Sequence, residues 1–228
     1  MTDGHSSLSR SVEDYLKAIY RITSSGDTAA TSAVADILEV QPASVTGMVK
    51  RLAETGLVEH LPYRGVRLTD DGVREALKVL RRHRILETYL CQRLGYSWDD
   101  VHDEAERMEH AVSDTLIERM AAALEFPSHD PHGAPIPTSA GEIEATDFPT
   151  LDEVRPGSEV WIRAVQDEDP RHLRTMEAKG LLPGARVVVD ARQKTHDTMA
   201  VRVGGGEGTS WSIHQELARL ILVAPQES

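Results

Sequence analysis

Along the first half of the chain, apolar residues recur every three or four positions, the spacing of one face of an α-helix. The pattern predicts a first helix over residues 11–20, a short helix from about Thr31, and another that begins at Pro42, since proline is favoured in the first helical turn. The brief connection between the last two predicts a helix-turn-helix unit. Strand-like residues on either side of residues 62–65 then predict a small hairpin, or wing.

Helical spacing continues beyond the wing and then gives way to strands. It predicts one long helix over residues 71–93 and a further helix from Val101, whose apolar stripe could supply a dimer interface. Proline and glycine cluster over residues 127–141, which predicts turns and a linker. Strand-like segments that follow the turns Pro156-Gly157 and Pro183-Gly184 predict a small five-stranded barrel with a brief helix near residues 173–179. The predicted fold is mainly α-helical with a small β domain.

The charge of the chain is unevenly distributed. The net charge of −12 argues against a nucleic-acid partner. Residues 50–84 are nevertheless rich in lysine and arginine, whereas residues 99–109 and 142–169 are acidic, so an anion-binding half and a cation-binding half can coexist. The single cysteine, Cys91, fits a reducing cytoplasm. The sequence contains no apolar run of about eighteen residues, so it predicts no membrane-spanning helix. We expect a cytoplasmic protein.

Acidic and imidazole side chains recur at helical intervals. On a helix over residues 101–112, His102, Glu106, Glu109 and His110 would share one stripe, which can hold a metal ion or can simply face solvent. Liganding residues elsewhere at matching intervals favour metal. They are His83 and Glu87 one helical turn apart, Asp14 on the first helix, and Asp169 with His172 downstream.

Two further groups have both a plain and a functional interpretation. His129, Asp130 and His132 lie in the predicted linker, where polar turn residues are the first interpretation and a metal site the second. The solvent-facing residues of the helix that begins at Pro42 are small or polar, and basic residues lie on the wing. This favours insertion into a DNA major groove over a surface for protein contacts. The predicted DNA-contacting positions are Ser32, Pro42, Ala43, Ser44, Thr46, Gly47, Lys50, Tyr63 and Arg64.

Taken in order, these segments resemble the diphtheria toxin repressor family of metal-dependent regulators. The resemblance covers nearly the whole chain, through S-V-E-D-Y-L-K-A-I-Y, R-R-H-R-I-L-E, V-H-D-E-A-E-R-M-E-H and P-H-G-A-P-I-P. It implies a winged helix-turn-helix domain over residues 1–72, a helical metal-binding and dimerisation domain over 73–140, a linker over 141–150, and an SH3-like, FeoA-type barrel over 151–228. It also implies a homodimer that binds palindromic operator DNA when divalent metal is present.

The resemblance also assigns metal ligands by position. The primary site would comprise Asp14, Glu106, Glu109 and His110. Where iron regulators of the family have methionine and cysteine, this chain has Asp14 and Glu106, and carboxylate in place of sulfur favours Mn(II). Lys17 stands where shorter manganese regulators offer another carboxylate, so we expect two separated sites instead of a closely spaced pair of ions. The second site would comprise His83, Glu87, His102, Asp169 and His172.

Two alternatives accompany this assignment. The first alternative is an iron-sensing repressor of the same architecture, because Fe(II) tolerates the same nitrogen and oxygen ligands. Co(II), Cd(II) or Zn(II) would serve as surrogate ions. The second alternative is a di-metal carboxylate enzyme, because carboxylates and histidines on bundled helices also form the metal centres of such enzymes. The sequence offers no nucleophile or general base beyond the ligands, so we predict a regulator and not an enzyme.

Overall fold

The computed structural model describes residues 8–24, 28–61, 64–145, 147–166, 169–193 and 197–225. The chain forms two compact units. The first unit comprises Met1–His83, Glu109–Val112 and Pro137–Ile143, and the second comprises Arg84–Met108, Ser113–Ile136 and Glu144–Ser228.

The first unit is a helix-turn-helix with a wing. Its elements are α1 (Arg10–Thr23), α2 (Thr31–Ile37), α3 (Pro42–Glu54), β1 (Val58–Leu61), β2 (Gly65–Leu68) and the first part of α4 (Asp70–Leu94). The strands β1 and β2 pair in antiparallel register, with Val58 opposite Leu68. Leu16, Ile19, Val45 and other apolar residues of α1, α2 and α3 form one buried core. The predicted helix-turn-helix and wing are confirmed.

The central helices depart from the prediction at one point. The long helix α4 extends over Asp70–Leu94, as the apolar spacing predicts, and α5 (Val101–Met108) and α6 (Asp114–Ala123) follow it. The prediction of one continuous helix over residues 101–112 is wrong, because α5 ends at Met108 and Glu109 and His110 lie in the turn that follows. The chain leaves the helical path there because Ser113 starts α6, its side chain accepting a hydrogen bond from the backbone N–H of Leu116.

The second unit contains a five-stranded antiparallel sheet. After α5, α6 and the end of α4, its elements are a short 3-10 helix (Leu151–Glu153), β3 (Glu159–Val165), α7 (Pro170–Ala178), β4 (Arg186–Gln193), β5 (Thr198–Val203), β6 (Thr209–His214), α8 (Gln215–Ala218) and β7 (Ile221–Ala224). The strand order is β6-β5-β4-β3-β7. Alternating residues of these strands, among them Ile162, Val189 and Val201, join Leu173 and Met176 of α7 in a second buried core.

The predicted linker is in part a packed segment of the second unit. The backbone N–H of Val165 on β3 donates to the carbonyl of His132, at 2.8 Å. Gly133 has φ +83°, and a Cβ there would lie 2.1 Å from the carbonyl oxygen of Arg163, so only glycine fits this approach. Asp130 and His132 are buried. Asp130 accepts hydrogen bonds from the backbone N–H groups of His132 and Ala134, as a polar turn residue does, and the turn is packed against β3.

Two further features concern the fold as a whole. All three tryptophans, Trp98, Trp161 and Trp211, belong to the second unit. None of the helices in the described ranges is both long and apolar enough to cross a bilayer.

Candidate metal centre

The helix α1 carries the first group of polar side chains to the edge of the first unit's core. One face of α1 is apolar, and Tyr15, Leu16 and Ile19 are buried on it. Asp14 and Lys17 are three residues apart and so lie on one side of the helix. The burial of the apolar face therefore fixes where these two polar groups point.

Asp14, Glu109 and His110, three of the four residues that the resemblance assigns to the primary site, converge in the first unit. One ligand atom from each lies within 4.8 Å of the other two. The Nε2 atom of His110 is 2.8 Å from Asp14 Oδ1 and 3.3 Å from Glu109 Oε1. This Nε2 is nevertheless buried without a hydrogen bond of acceptable geometry. A buried nitrogen between two carboxylate oxygens that it does not hydrogen-bond is the arrangement that a shared cation would satisfy.

Glu109 is completely buried and is held by two partners. Lys17 Nζ donates to its Oε1 at 2.7 Å, and His83 Nδ1 donates to its Oε2 at 2.6 Å. Burial would raise the pKa of Glu109, but the hydrogen bond from His83 and the charge of Lys17 outweigh it and hold that pKa below its ordinary value. The structure thus groups His83, a predicted ligand of the second site, with Glu109.

Glu13 is a functional candidate that the sequence reasoning missed. It is buried, and its Oε2 lies 2.5 Å from Nδ1 of His110 while its Oε1 accepts a hydrogen bond from Arg82, also at 2.5 Å. The signal in the sequence was its position beside Asp14. Two consecutive acidic residues at the border of an apolar helix face are poor candidates for burial unless each has a partner.

The second unit brings together another group of potential ligands. Glu87, Asp130 and His132 are all buried, and one ligand atom of each lies within 4.8 Å of the others. Glu87 also accepts a hydrogen bond from His102 Nδ1, at 3.2 Å. Burial and the neighbouring charge of Glu87 raise the pKa of Asp130. Glu87 and His102 were expected at the second site, whereas the part played by Asp130 and His132 comes from the packing of the 128–137 segment.

The remaining predicted ligands are placed as follows. Glu106 lies on α5 in the second unit, with Oε1 3.8 Å from His102 Nε2. Asp169 caps α7, accepting from the backbone N–H of Arg171 and pairing with its guanidinium. His172 is exposed on α7. Neither Asp169 nor His172 is part of a cluster of three or more such ligands found in the described ranges.

The predicted DNA-contacting surface is exposed. All six predicted positions on α3 and both Ser32 and Arg64 face solvent, while Val45, Met48 and Val49 of α3 are buried. Tyr63 lies outside the described residues. On the wing, Arg67 pairs with Glu59 across the hairpin, at 2.6 Å. The helix therefore presents small and polar groups outward while its apolar face anchors it to the core. The six predicted positions on α3, all exposed, are Pro42, Ala43, Ser44, Thr46, Gly47 and Lys50.

Comparison with known sequence families matches three consecutive segments. Residues 7–66 match the family described as iron dependent repressor, N-terminal DNA binding domain. Residues 69–138 match the iron dependent repressor, metal binding and dimerisation domain. Residues 150–225 match the FeoA domain.

Individual proteins agree with these matches. The iron-dependent repressor IdeR of Mycobacterium leprae is 30% identical over 191 residues, which cover 78% of this chain and 83% of that protein. Among solved structures, a manganese-dependent transcriptional repressor in complex with manganese is 38% identical, has a TM-score of 0.87, and is matched over 94% of this chain and 100% of its own. The structure of ScaR with bound Zn²⁺ is 29% identical with a TM-score of 0.79, over 94% and 99% of the two chains.

Proposed function

Because this chain belongs to the diphtheria toxin repressor family of metal-dependent, DNA-binding transcriptional repressors, we propose that Mn(II) is its effector and that the metal-loaded homodimer binds palindromic operator DNA in the cytoplasm. The family is one of repressors that bind DNA as dimers and not of enzymes. The alternative of a di-metal enzyme is therefore dropped.

One observation carries the proposal for the metal. The buried Nε2 of His110 lies between Asp14 Oδ1 and Glu109 Oε1 without a hydrogen bond to either. Asp14, Glu109 and His110 would hold the ion, with Glu106 as the further ligand that the resemblance assigns. Once bound, a divalent ion would add positive charge between the carboxylates of Asp14 and Glu109, beside the single ammonium group that Lys17 already places on Glu109.

The donor types support Mn(II) over Fe(II). The cluster offers carboxylate oxygens and one imidazole nitrogen and includes no sulfur, and oxygen donors suit Mn(II). A relative whose name specifies manganese is 38% identical across 94% of this chain, compared with 30% over 78% for the iron-dependent repressor IdeR. Fe(II) remains the second candidate because iron regulators are also related and because affinity order alone does not select the ion in cells.

The position of Asp14 explains how binding could reach the DNA-reading helix. Asp14 lies on α1, whose apolar face packs into the same core as α3. An ion shared by Asp14 and the turn at Glu109 and His110 would restrain α1, and through that core it would favour one placement of α3. Metal would thus shift a population of conformations toward the one that fits a palindromic site.

A second ion is proposed on Glu87 in the second unit. The resemblance assigns His83, His102, Asp169 and His172 to the same site as Glu87, and the buried cluster of Glu87 with Asp130 and His132 supports a site at this carboxylate. Of these residues, His102 is already hydrogen-bonded to Glu87. The cluster of Glu87, Asp130 and His132 shares no residue with the cluster of Asp14, Glu109 and His110. Loss of one cluster should therefore leave the other able to bind an ion.

Anaerobic DNA-binding titrations test the proposed function. A duplex library with a random core is first selected on Mn(II)-loaded protein, and the recovered duplex is then titrated with protein in Mn(II), Fe(II), Co(II) or Zn(II). The Asp14→Ala variant removes one proposed ligand, and Asp103→Ala, which removes an exposed carboxylate of α5, is the matched control.

We expect Asp14→Ala to lose metal-dependent DNA binding by at least about tenfold in affinity, while Asp103→Ala stays near wild type. Recovery of palindromes and activation by Mn(II) at lower free concentration than Fe(II) would support the effector. Equal DNA binding by Asp14→Ala without metal would refute the switch, and activation by Fe(II) at the lower concentration would replace Mn(II) with Fe(II).

A further inference from the structure

Glu13 contacts the proposed metal centre without being one of its ligands. It precedes Asp14 on α1, and the two carboxylates approach opposite nitrogens of the same imidazole. Glu13 Oε2 is 2.5 Å from Nδ1 of His110, and Asp14 Oδ1 is 2.8 Å from Nε2. Consecutive residues on a helix are about 100° apart, so one turn of α1 can reach both edges of a single ring.

The contact with Glu13 determines which imidazole nitrogen carries the proton. An ionised carboxylate only accepts hydrogen bonds, so at 2.5 Å the Nδ1 of His110 must be the donor. In the neutral imidazole, Nε2 then has a lone pair and no hydrogen. This agrees with the absence of a hydrogen bond from Nε2 to Asp14 or Glu109 in spite of the short distances.

Arg82 fixes the Glu13 carboxylate in this position. Its guanidinium donates to Glu13 Oε1 at 2.5 Å, and the side chains of both residues are almost fully buried. A buried carboxylate paired with arginine keeps its orientation, because losing either partner would leave the other buried without its partner. Arg82, Glu13 and His110 thus form a chain of charge-assisted hydrogen bonds that ends at the metal-facing nitrogen.

We propose that Glu13 is a positioning residue of the metal centre: it holds His110 from behind in the tautomer that presents the Nε2 lone pair to the ion. The proposal rests on the proposed function for its metal, but the tautomer is a property of the metal-free protein. Partners of this kind orient liganding histidines and raise their basicity. Glu13 therefore links α1 to His110 before any ion arrives, and the ion adds a second link through Asp14.

The test uses Glu13→Leu and Glu13→Gln in the full-length chain. Leucine removes the acceptor, whereas the glutamine amide oxygen can still accept from Nδ1–H without the charge. Mn(II) affinity is measured by calorimetric titration, the coordination of Co(II) by its visible absorption spectrum, and the tautomer of metal-free His110 by ¹⁵N chemical shifts of the ring. The matched control is Glu75→Gln, which removes a carboxylate of α4 that accepts a hydrogen bond from Lys78.

We expect the metal-free wild type to carry the proton on Nδ1. Glu13→Leu should weaken Mn(II) binding by about 10–100-fold and change the Co(II) spectrum, and Glu13→Gln should recover most of both. Glu75→Gln should match wild type. If Glu13→Leu fails to fold, as thermal unfolding would show, the wild-type tautomer and the Glu13→Gln affinity decide the question.

Two results would overturn the proposal. One is a wild-type His110 with its proton on Nε2, and the other is Mn(II) affinity in Glu13→Leu within about twofold of wild type. Failure of the proposed function is distinguishable from both, because it would appear as an Asp14→Ala variant that retains full Mn(II) affinity and metal-independent DNA binding, whatever the tautomer of His110.

Discussion

Replacement of Lys17 by methionine should destabilise the metal-free protein and sensitise it to metal. Lys17 Nζ lies 2.7 Å from Glu109 Oε1, and the Glu109 side chain is completely buried. Methionine keeps the apolar stem and removes the ammonium, so Glu109 loses one of its two partners while His83 still donates to the other oxygen. The lost charge leaves a buried carboxylate only half compensated.

The magnitude follows from this partial loss. Breaking a buried ion pair by removing one partner costs about 3–5 kcal/mol of unfolding free energy, and the remaining hydrogen bond from His83 places the expected loss near 3 kcal/mol. A divalent ion on Asp14, Glu109 and His110 would restore positive charge beside Glu109. With Mn(II) at saturation, the deficit of the variant should therefore shrink to about 1 kcal/mol or less.

Urea unfolding followed by far-ultraviolet circular dichroism, with and without Mn(II), measures both quantities. Lys78→Met is the matched control, because Lys78 pairs with Glu75 in an exposed i,i+3 pair on α4 and its loss should cost about 0.5 kcal/mol or less in either buffer. The reasoning is refuted if metal-free Lys17→Met is as stable as Lys78→Met. It is also refuted if Mn(II) stabilises Lys17→Met no more than wild type.

Three further predictions concern local packing. Burial, with the charges of Glu87 and Asp130, raises the pKa of Cys91 to about 11, so alkylation of the folded protein near pH 8 should be roughly a hundredfold slower than in urea; comparable rates would contradict this. A Cβ on Gly72 would lie 2.0 Å from the carbonyl oxygen of Leu57, so Gly72→Ala should cost about 1–3 kcal/mol in urea unfolding. Gly47→Ala on the open face of α3 should gain about 0.5–1 kcal/mol, and equal effects of the two changes would refute the packing argument. Asp130→Ala should cost about 2 kcal/mol because it removes the acceptor of two backbone N–H groups, and Asp130→Asn, which keeps an acceptor, should cost less.

Much of the fold is predictable because it depends on local periodicity. The helices α1, α3 and α4 follow unbroken apolar spacing, and Pro42 marks the start of α3. The end of α5 escapes this reasoning because the apolar spacing continues to Val112, although the chain turns at Glu109. The strand β6 is also hard to predict, since only Trp211 and Ile213 among the six residues Thr209–His214 are apolar and the strand follows a glycine-rich turn.

Some residues of the candidate site can be recognised from local sequence patterns, whereas the contacts between them depend on long-range packing. Helical intervals single out Glu109 and His110 as candidate ligands, whereas their grouping with Asp14 comes from the resemblance to the family. The partnership of Glu13 with His110 joins positions 97 residues apart, and that of Lys17 with Glu109 joins positions 92 apart. Helical spacing carries no information about such pairs, because which buried charge meets which is decided by the packing of separate helices.

The distribution of tryptophan has a practical consequence for spectroscopy. Trp98, Trp161 and Trp211 all belong to the second unit, whereas Asp14, Glu109 and His110 belong to the first. Indole emission therefore comes entirely from residues of the second unit. A metal titration that leaves this emission unchanged would be no evidence against loading at Asp14, and a change in it would point first to the carboxylate and imidazole groups around Glu87, close to the ring of Trp98 through its contact with His132.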